Sequence, residues 1–377
     1  MLLALALIAC LLGEVRVEST AQLRAALREA EPGDVVLLAP GKYEGFSAAD
    51  VQGAAGRPIR IASADAKSPA VFTGGVQFSD VAHFELVDLC IEGAPGNGLN
   101  IDDAGSFETP SHHVTLLRVA VRDCGGRANH DGIKLSGVRD FRLEGCTVER
   151  WGRGGSAVDM VGCRDGVLSG CLVRDNERDP AATGVQAKGG SRDIRIEGCR
   201  FVHAGQRALN LGGSTGLEFF RPSPQGFEAR GLTVEGCTFV GSLAPIAFVG
   251  VDGASVRFNT FYRPRRWALR ILQETRAEGF VPCRNGVFSD NLIVYRSDEL
   301  VSAANVGDAT APETFQFARN WWSCEDQPAH ARPVLPVAEL DPAGGRDPLF
   351  VNIAALDLRL APESPARAHG ADAWSGK

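Results

Sequence analysis

The sequence predicts an all-β chain, a single-domain right-handed parallel β-helix with an N-terminal capping helix. Two observations carry this. One strand frame recurs along the chain, as in His83-Phe84-Glu85-Leu86-Val87-Asp88-Leu89, His113-Val114-Thr115-Leu116-Leu117-Arg118-Val119 and Asp140-Phe141-Arg142-Leu143-Glu144-Gly145-Cys146. It returns ending at Cys171, Cys199, Cys237, Asn259, Asn291 and Asn320, in steps of 30, 27, 25, 28, 38, 22, 32 and 29 residues. Within each unit apolar residues alternate with polar ones, so Phe141, Leu143 and Val148 share a face that excludes Arg142. One unit cannot bury that face alone, but stacked units can. Helical periodicity between the strands is missing, which excludes a doubly wound α/β fold. A propeller would need a more constant period.

The elements follow in order. Leu2 to Leu12 is one apolar run, too short to span a bilayer. Residues 1–12 read as a secretory signal, or as a lipoprotein signal with lipidation at Cys10, which makes the chain secreted or periplasmic. Residues 13–377 then form the β-helix domain. Ser19-Thr20 followed by Leu23, Ala26, Leu27 and Ala30 gives a capped amphipathic helix over 19–31 that covers the open end. Pro32-Gly33-Asp34 stops it, and Val35–Leu38 begins the first coil. At the far end, 347–377 reads as the closing segment. Ten cysteines in an exported chain would suggest disulfides. Here, however, the column Cys146, Cys171, Cys199, Cys237 continues as Asn259, Asn291 and Asn320, which predicts packed free thiols continued by an amide ladder.

The net charge is −7, with 39 basic against 46 acidic residues, which argues against a nucleic-acid partner. No other stretch could cross a membrane, and a monomer is expected. Charge is uneven, however. Ala181 to Phe280 holds 13 basic and 8 acidic residues, and the remainder 26 and 38, a balance suited to an anionic ligand on that stretch.

A second column of strands precedes the Cys column. Its outward residues read Lys134, Asp159, Lys188, Asn210, Phe248 and Arg270, with Gln186 as the alternative to Lys188. Only 5 basic residues are Lys, and two of them stand here. The longest insertions, 212–230 and 273–285, leave from this column and could wall a groove. Arg263, Arg265 and Arg266 beside Tyr262 and Trp267 offer charge and a stacking surface for sugar, or packing under a loop. Adjacent His112-His113 point to opposite strand faces and do not suit one metal. His203 reads as structural. So does His130, although it stands near enough to Lys134 to assist proton transfer. Gly212-Gly213-Ser214-Thr215-Gly216 precedes no helix and reads as a turn.

The opening, Ala21-Gln22-Leu23 through Pro32-Gly33-Asp34-Val35-Val36-Leu37-Leu38-Ala39-Pro40-Gly41-Lys42-Tyr43, resembles the cap and first coil of polysaccharide lyase family six. That family contains chondroitinase B and alginate lyases. It carries a catalytic Lys in a Ser-Asn-Lys-Ser-like strand and, one coil later, an Arg in a Leu-Arg-His-Gly-like strand. Val185-Gln186-Ala187-Lys188-Gly189-Gly190-Ser191 is similar to the first, which implies Lys188 as base. Ala208-Leu209-Asn210-Leu211-Gly212-Gly213 has Asn210 where the Arg belongs, so Arg207 or Arg270 would compensate. The resemblance implies calcium as cofactor, but Ala182-Thr183-Gly184 occupy the stretch of its carboxylate ligands.

The resemblance thus implies β-elimination on a uronate-containing, anionic polysaccharide or oligosaccharide. Lys188, Arg207 and Arg270 would be catalytic, and Lys134, Asp159, Asn210, His130, Arg266 and Trp267 would bind substrate. Two alternatives stay open. Asn129-His130-Asp131-Gly132 resembles a strand of the pectin hydrolases, so Asp131 and Asp159 could serve a glycoside hydrolase, which needs two carboxyl groups about 5 to 9.5 Å apart. The chain could equally be a carbohydrate-binding or structural β-helix without catalysis.

Overall fold

The computed structural model describes residues 13–329 and 333–376. The signal segment and Cys10 lie outside the described residues. Among those described, the chain winds through three parallel sheets in a fixed order. A first sheet of 12 strands runs from Glu14–Val17 to Gln316–Ala318. A second of 12 runs from Lys42–Tyr43 to Ala343–Gly344, and a third of 10 from Phe46–Ala49 to Ser302–Val306. Ten successive coils contribute one strand to each sheet, and every pairing within these sheets is parallel. The repeat frame is the first-sheet strand, and its apolar positions line one continuous core. No helix among the described residues is long and apolar enough to cross a membrane.

The column at the turn from first to second sheet explains why Cys and Asn interchange there. Each must donate to a carbonyl of the preceding coil. Cys146, Cys171, Cys199 and Cys237 reach Leu116, Leu143, Leu168 and Ile196 O through Sγ at 3.3 to 3.5 Å. Asn259, Asn291 and Asn320 do the same through Nδ2 at 2.9 to 3.0 Å. The amides also accept from the backbone N–H of the coil before, Asn291 Oδ1 from Asn259 N and Asn320 Oδ1 from Asn291 N. All nine described cysteines are free and buried, as the column predicted.

Both ends differ in detail from the sequence reading. The cap is the helix Thr20–Glu29, with Ser19 Oγ accepting from Gln22 N at 3.2 Å and Leu23 and Leu27 buried on the core. A strand, Glu14–Val17, already pairs with Val35–Leu38 before that helix begins. At the other end the tail does not close the solenoid. It turns back along the outside of the second sheet, where Leu358 and Ala366 pack with Val240, Tyr262, Leu292, Val294 and Trp321. Trp374 lies against the turn at Gly236, where an added Cβ would meet its ring at 2.2 Å. The end is instead closed by the segment holding Leu335, Val337 and Glu339. Glu339 takes the last hydrogen bonds of the amide ladder, from Asn320 N and Nδ2 at 2.9 and 2.7 Å, and a third from Trp322 Nε1.

Candidate functional site

The third sheet carries the row of outward residues. Strand pairing gives Gln77, Asn100, Lys134, Asp159, Gln186, Asn210, Ala247 and Arg270 on successive coils. Two positions differ from the sequence reading. Gln186, not Lys188, stands opposite Asp159, and Lys188 lies one outward position further along, beside Val161. Phe248 points inward and is fully buried in the core, and Ala247 takes its place in the row.

The shift does not remove Lys188 from the cluster. Lys134 Nζ donates to Asp159 Oδ2 at 2.9 Å and to Asp131 Oδ2 at 3.2 Å. Lys188 Nζ lies 3.6 Å from the other oxygen, Asp159 Oδ1, which has no hydrogen-bond partner although it is buried. Asp159 therefore sits between the side-chain nitrogens of two lysines. Asp131 Oδ1 accepts from Ser156 N at 2.8 Å, which fixes the carboxylate at the turn into its strand. Burial, and then the charge of Asp159, raise the Asp131 carboxyl above its ordinary range. For Lys134 burial alone would lower the ammonium, but the fields and hydrogen bonds of Asp159 and Asp131 prevail and raise it. An ammonium has three donors, and two are taken here. The third remains for a ligand on a face open to solvent, beside a recess of about 520 Å³ lined by Asn97, Asn100, Asp102, Lys134, Ser136 and Arg221.

Beyond Lys134 the row continues as a neutral and acidic net. Asn100 Nδ2 donates to Gln77 Oε1 at 2.7 Å and to Asp102 Oδ2 at 2.9 Å. In the other direction stand Gln186, which donates to Ser156 Oγ at 2.8 Å, and buried Asn210, whose Oδ1 has no partner. Arg270 follows two coils after Asn210. Its Nε donates to Asn305 Oδ1 at 2.9 Å, and its guanidinium lies 4.4 Å over the Trp267 ring, which Arg266 covers at 4.6 Å. Burial, and then Arg207, lower the Arg270 guanidinium from its ordinary value. Arg207 itself donates to Glu274 at 2.8 Å. His130 is half-buried in the loop before Asp131, against the backbone of Gly152 and Gly155.

The expected residues thus fall into two groups. Lys134, Asp131, Asp159 and Lys188 form one, and Arg207, Arg266, Trp267 and Arg270 form the other. Arg270 is three coils from Lys188, roughly 14 Å at one strand spacing per coil. Arg207 is on the next coil but five positions before the residue opposite Lys188, roughly 16 Å along the strand. Neither arginine touches Lys188.

Both long insertions pack together at the edge of this sheet. Glu228 is fully buried and joins them, accepting from Gly189 N and Thr215 N at 2.9 Å, from Thr215 Oγ1 at 2.7 Å and from Thr275 Oγ1. Arg221, from the first insertion, reaches back to Asp103 Oδ2 at 2.6 Å, crossing Gly137, Gly162 and Gly190. At Gly162 a Cβ would meet the Arg221 side chain at 2.4 Å, so that turn must be glycine for the loop to pass. The sequence marked these insertions but gave no signal for Glu228 or Arg221, whose partners lie 39 and 118 residues away.

Calcium does not fit the place where the resemblance implied it. Ala182 and Gly184 offer no side-chain oxygen, and Thr183 pairs along the sheet with Ser156 and Arg207. Between Asp131 and Asp159 the Lys134 ammonium already fills the cation position.

A family model described as a right handed beta helix region matches residues 74–261. A comparison with curated proteins finds no match. Among solved structures, an alginate lyase from Paenibacillus sp. str. FPU-7 is similar at 18% identity and TM-score 0.50, over 79% of this chain and 99% of that one. A family-six polysaccharide lyase from Pseudopedobacter saltans is similar at 12% and 0.54, over 96% and 99%. The A-module of a mannuronan C-5 epimerase from Azotobacter vinelandii is similar at 14% and 0.55, over 86% and 93%. At such identities the likeness is one of fold. It bears out the right-handed parallel β-helix and its resemblance to the family-six lyases.

Proposed function

We propose that this β-helix is a carbohydrate-active lyase that cleaves a uronate-containing polysaccharide by β-elimination on the outer face of its third sheet. The observation that carries the reading is Asp159 held between Lys134 and Lys188, with one carboxylate oxygen unpartnered toward Lys188. Elimination needs a positive group on the sugar carboxylate, so that the adjacent carbon can lose its proton, and a base to take that proton. Lys134, held charged by two carboxylates, supplies the positive group through its free donor. Lys188 in its neutral form takes the proton from C5. The C5–H electron pair becomes the C4–C5 double bond, the C4–O bond breaks, and the leaving oxygen takes a proton from the Lys188 ammonium or from water. Asp159 Oδ1 is placed to orient Lys188 and to share its proton. Arg207, Arg266, Trp267 and Arg270 serve sugars further along the chain, combining charge with a stacking ring. No step passes through calcium.

This assigns the carboxylate at the cleaved sugar to Lys134 rather than to Arg207 or Arg270, because those arginines are engaged away from Lys188. Export, read from residues 2–12, suits a polymeric substrate. The experiment is a panel of alginate, glycosaminoglycans and pectins, scored by the ultraviolet absorbance of unsaturated ends, with wild type and Lys188→Ala. The reading expects unsaturated product from wild type and none from the variant. Unsaturated product at wild-type rate from Lys188→Ala would overturn it. A second reading, hydrolysis by Asp131 and Asp159, is favoured by the raised Asp131 carboxyl and would leave saturated ends.

A further inference from the structure

On the first sheet, away from the lysine and aspartate row of the third, three imidazoles meet. His112 and His113 are adjacent in one strand and His83 lies one coil earlier. Regular alternation would part His112 from His113, which is why the sequence reading set them aside. The structure overturns that. His113 has φ +54°, as do its column neighbours His83 at +45° and Asp140 at +52°. The left-handed residue interrupts the alternation, and the ladder pairs His112 and Val114 while skipping His113. Both rings therefore come to the same side. His112 Nδ1 and His113 Nδ1 are 2.9 Å apart, and the His83 ring lies 4.3 Å from that of His113 and 5.3 Å from that of His112. One ligand nitrogen from each of the three lies within 4.8 Å of the others. Asp140, on the following coil, places Oδ2 3.9 Å from His113 Nδ1.

We propose that His83, His112 and His113 bind a borderline divalent transition-metal ion such as Zn²⁺, with Asp140 as the fourth ligand. The chemistry selects the ion class. An all-imidazole set with one carboxylate suits zinc, copper or nickel and is a poor set for calcium or magnesium. The geometry is near what such an ion needs. Two nitrogens bonded at about 2.05 Å to one ion stand about 2.9 Å apart at a right angle and about 3.3 Å apart at a tetrahedral one. Arg139, whose Nε is 3.6 Å from Asp140 Oδ2, competes for that carboxylate and must yield it when the ion binds. The ion would tie together three consecutive coils, those of His83, His112–His113 and Asp140.

The test uses the full chain without a polyhistidine tag. Zn²⁺ is titrated in competition with a chromophoric chelator, and thermal unfolding is followed with and without Zn²⁺. The expected result is one equivalent bound and a higher unfolding temperature with the ion. Asp140→Asn should weaken binding by about tenfold. His112→Ala should abolish both effects. Because these side chains are at least partly exposed, the variants should fold, which circular dichroism checks. Binding left intact in the His83→Ala/His112→Ala/His113→Ala variant, or no binding by the folded wild type, overturns the proposal. Lys188→Ala should bind Zn²⁺ as wild type does, which separates this site from the lyase reading.

Discussion

Replacing Lys134 with Met removes the cation between Asp131 and Asp159 while keeping the length and most of the apolar stem of the side chain. Two carboxylates, 6% and 3% exposed, are then left facing each other. Breaking a buried ion pair by deleting one partner costs about 3–5 kcal/mol. The Lys134 side chain is 32% exposed, and solvent already screens part of its field, so a loss of about 2–3 kcal/mol is expected at pH 7. The pH dependence has a definite sign. Burial and Asp159 raise the folded Asp131 carboxyl above its unfolded value of about 3.9, and Lys134 is one of the groups that holds it down. A carboxyl raised by folding favours the folded state below its unfolded pKa and loses that contribution as pH rises through its folded pKa. Without Lys134 the folded value climbs further, so the deficit is full at pH 7 and shrinks on acidification toward pH 4.5. Urea unfolding followed by circular dichroism at both pH values measures it. A deficit below about 0.5 kcal/mol at pH 7, the range of ordinary surface substitutions, or one equal at both pH values, would refute the reasoning.

Two further outcomes follow from the row and the ladder. Asn291→Ala leaves Val256 O, Asn259 N and Asn320 Oδ1 short of partners and should cost about 3–5 kcal/mol in the same unfolding assay, at 1–3 kcal/mol for each buried unsatisfied group. Asn291→Cys restores the donor to Val256 O, as the upstream cysteines do, and should recover about half of that loss. Arg270→Ala, placed several sugars from Lys188, should raise KM with kcat little changed, as expected when uniform binding is lost, measured by steady-state formation of unsaturated ends.

The solenoid was legible because period two and a recurring frame are what a stack of parallel coils must write into its sequence. The Cys and Asn column was legible for the same reason, since both residues answer one need, a small buried donor to the previous coil. The rung at Lys188 was not. Gln186 and Lys188 both face outward, and alternation gives the face of a strand but not its pairing partner. That choice is set by the length of the turn through Asp175–Thr183. At Ala247-Phe248-Val249 every residue is apolar, so alternation carries no information, and only the core volume decides that Phe248 turns inward. The histidine trio was hidden by a backbone event. A positive φ at His113 reverses the side on which its ring emerges, and nothing in His-His announces it. Glu228 and Arg221 were hidden because their partners are brought near by coil stacking alone.

The account turns on where the sugar carboxylate binds. A crystal structure of Lys188→Ala with a bound uronate oligosaccharide measures this directly. The account predicts a carboxylate on Lys134 Nζ with that sugar's C5 facing the space vacated by Lys188. A cleaved-site carboxylate held instead by Arg207 and Arg270, with Lys134 still engaged only by Asp131 and Asp159, would contradict it.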